Sequence, residues 1–341
     1  MMRLLRQVCS TSRLQQVKIS LLFLVLCSSV FAASVAASPL KKATLMPLWS
    51  PQAQFAGYYV ALEKGIYARH GIELKILPAG PGYSPEQTLK NGGADFAVLW
   101  LTTALRQSAN GTRLVNLAQI VQRSSLLLIS RKSSGIKSVT DLNGRKVGLW
   151  AGDLSLPPRI MFARQGIKVR EVPQSYTVNL FLRGGIEVTS AMWYNEYHTI
   201  LSSGVDADEL SVIRINEQGI PFPEDGIYTL EKTFKKDPAL AKAFVTASLE
   251  GWRYAFEHPD EALEIVIKQM RGAQLPANRA HQKWMLERMR DLIMPPAAKG
   301  VHGLLNQQEY EAVGQAMRTY GLLKAYPDYN RFTGRSDAGA H

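Results

Sequence analysis

Phe96-Ala97-Val98-Leu99-Trp100 is a short apolar run that follows the turn signal Asn91-Gly92-Gly93 and ends on an indole. Its length, apolarity and glycine-marked flank predict a buried strand. Three other runs end the same way: residues 43–49 close on Trp49, residues 146–150 on Trp150 and residues 188–193 on Trp193. In open α/β sheets ligands bind just beyond the carboxyl ends of the strands. Four indoles at that edge therefore predict an aromatic box for a flat molecule. One tryptophan at a strand end is more simply a packing residue; four at the same topological place point to a ligand.

Outward from these runs the pattern alternates between strand and helix periods. Phe55, Tyr59, Leu62 and Ile66 recur at helical spacing, with Gly71 as a stop. Residues 72–77 alternate apolar and polar, as a strand with one wet face does. After the strand ending at Trp100 come a helix to Asn110-Gly111 and two apolar strands, 114–121 and 126–130. Arg131-Lys132-Ser133-Ser134-Gly135 reads as a polar crossover, beyond which a second alternating block begins. Pro221-Phe222-Pro223-Glu224-Asp225-Gly226 reads as the return crossing, and helices near 240–254, 261–269, 279–292 and 307–320 follow. Alternation of this kind predicts an α/β fold with parallel strands covered by helices. The expected layout is a first lobe from residues 43–130 plus 226–330, a second lobe at 131–225 inserted into it, and a loose tail at 331–341. Two crossings make such a pair of lobes a hinged clamp around a cleft.

At 341 residues the chain is long enough for two lobes, and 46% hydrophobic residues can supply their cores. Residues 1–37 stand apart: Arg3, Arg6, Arg13 and Lys18 precede the apolar stretch 19–26, and small residues follow around Ala36-Ala37. That is the form of a cleaved secretory signal peptide. Leu26 before Cys27 argues against a lipid anchor, so a soluble exported protein is expected. Cys9 and Cys27 are the chain's two cysteines, and both fall in this segment. Disulfides, thiolate chemistry and cysteine-bound metal are then excluded from the mature chain. The net charge of +12 includes those four cations and no acid, leaving +8 for the rest. These charges are scattered without a basic stripe or motif, which excludes a nucleic-acid reading.

No motif supports catalysis. The histidines His70, His198, His258, His281, His302 and His341 show no metal-ligand spacing. There is no Gly-x-Ser-x-Gly elbow, phosphate loop or His-Glu-x-x-His. The adjacent Glu224-Asp225 sits in a turn, where solvation or a hinge contact is expected rather than acid/base work. No metal and no cofactor are expected. The most specific string is Trp193-Tyr194-Asn195-Glu196-Tyr197-His198, directly after a strand. It offers a stacking ring, an amide and a carboxylate at the ligand edge; Glu196 could accept hydrogen bonds from an exocyclic amine. The bland alternative is that Asn195 and Glu196 merely begin the next helix, where acids are favoured.

Trp49-Ser50-Pro51-Gln52-Ala53-Gln54-Phe55-Ala56-Gly57-Tyr58-Tyr59-Val60-Ala61, with Lys64-Gly65-Ile66-Tyr67, resembles the opening of the thiamine-pyrimidine-synthase-like substrate-binding proteins of ABC importers. Gly92-Gly93-Ala94-Asp95-Phe96, Leu142-Asn143-Gly144-Arg145-Lys146-Val147-Gly148, Trp193-Tyr194-Asn195-Glu196 and Phe222-Pro223-Glu224-Asp225-Gly226-Ile227-Tyr228 continue the likeness, which covers residues 45–228. The resemblance implies a type II periplasmic-binding-protein fold. It also implies a ligand such as a hydroxymethyl- or formylaminopyrimidine thiamine precursor, with riboflavin-like solutes bound by relatives. Aromatic rings stack the ligand in that family and an acid reads its amino group. The same superfamily holds a fungal enzyme that builds the thiamine pyrimidine from pyridoxal phosphate and its own histidine. Its lysine and histidine fall here on Leu99 and Thr103, and its cysteine motif has no counterpart, so that chemistry is not expected.

The reading is thus an exported, monomeric solute-binding protein of the periplasm that delivers an aminopyrimidine to an ABC permease, and not an enzyme. The candidate ligand-binding residues are Trp49, Gln52, Gln54, Tyr83, Trp100, Trp150, Tyr176, Trp193, Asn195 and Glu196. Alternatives left open are riboflavin or another aromatic solute, a synthase, and a sensor that docks on a membrane receptor.

Overall fold

The computed structural model describes residues 39–295 and 303–335. The expected signal segment 1–37 with both cysteines, His302 and His341 lie outside them. Two mixed five-stranded sheets organise the chain. The first runs β2-β1-β3-β10-β4, from β1 (Lys41–Met46), β2 (Ile72–Ile76), β3 (Phe96–Trp100), β4 (Leu114–Gln119) and β10 (Asp225–Leu230). The second runs β7-β6-β8-β5-β9, from β5 (Leu126–Arg131), β6 (Lys146–Leu149), β7 (Arg170–Pro173), β8 (Val188–Met192) and β9 (Leu210–Arg214).

The sheets share one plan. Each has four strands running one way and a fifth, antiparallel one delivered by a crossing from the other sheet: β10 between β3 and β4, β5 between β8 and β9. The first crossing therefore spans residues 120–125 and the second 215–224. This corrects the expected boundary at 131–135, because β5 lies in the second sheet and not in the first lobe. Residues 114–121 and 126–130 both read as apolar strands, and an apolar run carries no sign of which sheet it will join. The two crossings bond to each other: Ser124 N–H donates to the Pro221 carbonyl at 2.7 Å and Glu224 N–H to the Val121 carbonyl at 3.1 Å.

Helices cover the sheets as the spacing predicts. Asp237 caps the helix Pro238–Glu257, accepting from Leu240 N–H at 2.9 Å with Pro238 at the first helical position. That helix packs Phe244 flat on Phe96, ring centroids 4.0 Å apart. It meets the helix Ala56–Glu63 at a glycine contact. A Cβ on Gly251 would lie 2.2 Å from the Gly57 carbonyl, and one on Gly57 2.3 Å from the Trp252 ring. The helix Arg279–Ile293 buttresses the first lobe, since Gln282 accepts from Ala53 N–H at 2.7 Å and so caps the turn Ala53–Phe55. The loose tail expected from 331 does not hold for its first residues: Tyr329–Phe332 is a helical turn, and Phe332 is buried against Tyr310. No helix among the described residues is long and apolar enough to cross a membrane.

Candidate functional site

A cavity of about 320 Å³ opens between the carboxyl ends of the two sheets. Trp49, Gln52, Gln54, Tyr83 and Trp100 line it from the first lobe; Trp150, Tyr176, Asn195 and Glu196 line it from the second. Nine of the ten residues singled out in the sequence thus converge on one cleft. Trp100 ends β3 and Trp150 follows β6, both almost fully buried, so their rings form fixed walls. Trp150 is held by its indole N–H, which donates to the Ser175 carbonyl at 3.1 Å. Trp49 and Tyr176 meet across the mouth with ring centroids 4.7 Å apart. Tyr83 and Tyr176 are the exposed members, at 55% and 60%, and stand at the rim.

Trp193 is the exception. Successive residues at a strand end project to opposite sides, so Met192 and Tyr194 face the cleft and Trp193 faces away. Its ring meets two guanidiniums, Arg214 at 5.2 Å and Arg288 at 5.0 Å. Tyr194 takes the place expected of it. The period-two rule was available in the sequence and would have separated these neighbours.

At the floor of the cleft polar groups are chained. Gln52 donates to Gln54 at 2.6 Å, and Gln54 donates to the buried Asp225 carboxylate at 2.8 Å. Asp225 pairs across the sheet with Trp100. Burial pushes its carboxyl up to about 7, against the opposing pull of the Gln54 amide and the Trp100 indole. Glu196 begins the helix Glu196–Ser202 and accepts from Met192 N–H and from the Asn195 amide, each at 2.8 Å. Burial pushes this carboxyl too up to about 7. The carboxylate also lines the cavity, where it can take donors in the plane of a ring. The Tyr194 hydroxyl is raised above its ordinary value by burial and by the charges of Asp225, Glu224 and Glu196, which places three acids around one phenol.

Thr103, Arg106 and Asp153 also line the cleft, and sequence spacing offered no sign of them. Arg106 of the first lobe meets Asp153 of the second with Nε–Oδ1 at 2.9 Å and Nη2–Oδ2 at 3.0 Å. That ion pair joins the lobes at one side of the cavity. Leu99 is wholly buried, and Thr103 presents a hydroxyl rather than an imidazole. Among the described residues no three histidine, cysteine or acidic side chains gather as a metal site.

Known proteins share this fold. The aliphatic sulphonate binding protein SsuA of Escherichia coli, a periplasmic protein, superposes with a TM-score of 0.65 at 13% identity over 86% of this chain and 97% of its own. The architecture is accordingly the type II periplasmic-binding-protein fold that the sequence implied. The riboflavin-binding protein RibY of Chloroflexus aurantiacus is 24% identical, covering 90% of this chain and 92% of its own. The formylaminopyrimidine-binding protein of Halalkalibacterium halodurans is 22% identical over 76% of this chain and 79% of its own. A 4-amino-5-hydroxymethyl-2-methylpyrimidine phosphate synthase of Legionella pneumophila is 27% identical over 69% and 76%. The profile of the NMT1/THI5-like proteins matches residues 52–262, most of both lobes, and the chain belongs to that family.

Proposed function

We propose that this protein is the solute-capturing component of an ABC importer and that its solute is a small planar heteroaromatic bearing an exocyclic amine, an aminopyrimidine thiamine precursor. The observation that carries the reading is the convergence of Trp49, Trp100 and Trp150 on one cleft beside Glu196. The rings offer faces to stack on, and the carboxylate offers an in-plane acceptor worth roughly 1.5–3 kcal/mol to an amine donor. A cavity of about 320 Å³ is at the small end of the range for ligand sites and suits one ring better than a flavin with its ribityl chain. The remaining parts follow from the same reading. Residues 1–37 direct export to the periplasm, a membrane permease receives the closed, monomeric protein, and the cleft performs no chemistry. Leu99 and Thr103 supply neither a Schiff-base amine nor an imidazole, which disfavours the synthase alternative.

Tryptophan fluorescence of the full chain, titrated with 4-amino-5-hydroxymethyl-2-methylpyrimidine and separately with riboflavin, tests this. Saturable quenching by the pyrimidine, weakened about tenfold or more in Glu196→Gln, is expected. Quenching by riboflavin alone would move the solute to the flavin class, and no quenching by millimolar pyrimidine would end the claim.

A further inference from the structure

Behind the cleft a chain of hydrogen-bonding side chains crosses from one lobe to the other. His281 lies on the helix Arg279–Ile293, which buttresses the first lobe; Asn195, Glu196 and His198 belong to the second. Nδ1 of His198 and Nδ1 of His281 are 2.9 Å apart, and Nε2 of His281 is 2.9 Å from Oδ1 of Asn195. The Asn195 amide donates to Glu196 Oε1 at 2.8 Å. Asn278 caps the helix by accepting from His281 N–H, which sets the imidazole at the helix start.

The proton positions along this chain follow from its end. An ionised carboxylate only accepts, so Asn195 turns its NH₂ to Glu196 and its carbonyl to His281. Nε2 of His281 must then donate. A neutral imidazole has one N–H, which leaves Nδ1 of His281 as an acceptor and requires Nδ1–H on His198. We infer that His281 is a positioning residue for the acceptor edge of the cleft: reaching over from the first lobe, it locks Asn195, and through it Glu196, when the lobes close. The inference rests on Glu196 being the acceptor that the ligand meets.

A dependence on pH is built into the contact. One proton can be absorbed, since His198 can move its own proton to Nε2 and accept from a cationic His281. A second proton sets two N–H groups face to face at 2.9 Å and breaks the contact. The surroundings oppose even the first. The Trp284 ring packs on His198 at 5.0 Å, and the Arg288 guanidinium lies 4.8 Å from that same ring. Arg214 lies 5.2 Å from the Trp193 ring, and the hydroxyl of Ser202 is 3.4 Å from His198 Nδ1. The hydrogen bonds lead from His281 to an acid, Glu196, through Asn195. Burial holds both imidazoles below their ordinary value, His281 also through its neighbour. A histidine lowered in the closed form favours closure above the ordinary imidazole range and opposes it as pH falls below.

Two measurements on the full chain test this. Long-range ¹H–¹⁵N NMR at pH 8, without added ligand, should find His281 protonated at Nε2 and His198 at Nδ1; His281 protonated at Nδ1 overturns the relay. Titration with 4-amino-5-hydroxymethyl-2-methylpyrimidine should show His281→Leu binding about tenfold weaker at pH 8, with a shallower loss of affinity between pH 7 and 5 than the wild type, since protonation of Glu196 still contributes and the histidine contact no longer does. His281→Gln, whose amide can still donate to Asn195, should recover most of the affinity but not the pH profile. In a Glu196→Gln background His281→Leu should cost less than about twofold, because the acceptor it positions is gone. An unchanged affinity and pH profile in His281→Leu, or full additivity with Glu196→Gln, overturns the inference. If the wild type binds no pyrimidine the solute assignment fails, and the NMR tautomers still decide the relay.

Discussion

Glu224→Gln is expected to stabilise the protein at high pH while changing little at low pH. Glu224 lies in the second crossing with 2% of its surface exposed. It binds the first crossing through three donors: Ser124 Oγ at 2.8 Å and Ser125 N–H at 2.7 Å to Oε1, and Ser125 Oγ at 2.8 Å to Oε2. Burial, with the charge of Asp225 beside it, pushes its carboxyl from 4.5 up to about 8 against the pull of those donors. Between those values the folded chain keeps a proton that the unfolded chain releases. Stability from this group is therefore complete below about 4.5 and is lost as pH rises through about 8. The interval sets an upper bound of roughly 5 kcal/mol, which relaxation of the surroundings should cut to about 1–3 kcal/mol. Glutamine keeps the contacts, its carbonyl accepting from Ser125 N–H and Ser124 and its amide donating to the Ser125 hydroxyl. Urea unfolding at pH 5 and pH 9 should show the variants within about 0.5 kcal/mol at the lower pH and Gln ahead by about 1–3 kcal/mol at the higher. Glu224→Ala abandons buried donors at both pH values and should lose about 2–4 kcal/mol throughout. A Glu224→Gln gain that is absent at pH 9, or equal at both, would refute a protonated acid at the hinge.

Three further outcomes follow from the geometry. Trp193→Phe should leave pyrimidine affinity within about twofold, while Trp100→Phe weakens it about tenfold, read by calorimetric titration so that loss of a fluorophore does not confuse the comparison. Asp153→Asn removes the carboxylate that holds Arg106 across the cleft; since Arg106 is 40% exposed, solvent recovers part of the loss. About fivefold weaker binding is expected, with a larger radius of gyration in small-angle scattering. Gly251→Ala drives a methyl into the Gly57 backbone, which cannot swing aside as a side chain can, and should cost about 3 kcal/mol in chemical denaturation.

Much of this architecture can be read along the chain because its signals are local. The run closing on Trp100, the alternation at residues 72–77 and the Asp237-Pro238 cap each depend on residues a few positions apart. Strand ends in such sheets face the ligand side, so the gathering of Trp49, Trp100 and Trp150 at one cleft was foreseeable from their positions alone. Side-chain direction was the weak point, and Trp193 illustrates it: the strand end was right and the face was wrong.

Whatever depends on partners distant in sequence was hidden. Apolar runs look alike whether they pair within their own block or across the hinge, so β5 had to be placed by its hydrogen bonds to β8 and β9. Arg106 and Asp153 are 47 residues apart, and His198 and His281 are 83 apart. Such pairs arise when rigid sheets and helices bring unrelated stretches together, and no periodicity records them. Local patterning thus sufficed for the α/β class and for three of the four indoles of the cleft. The contacts that join the lobes, and the burial that perturbs Glu196, Glu224 and Asp225, exist only once the chain is packed, because desolvation belongs to the surroundings of a group and not to its place in the sequence.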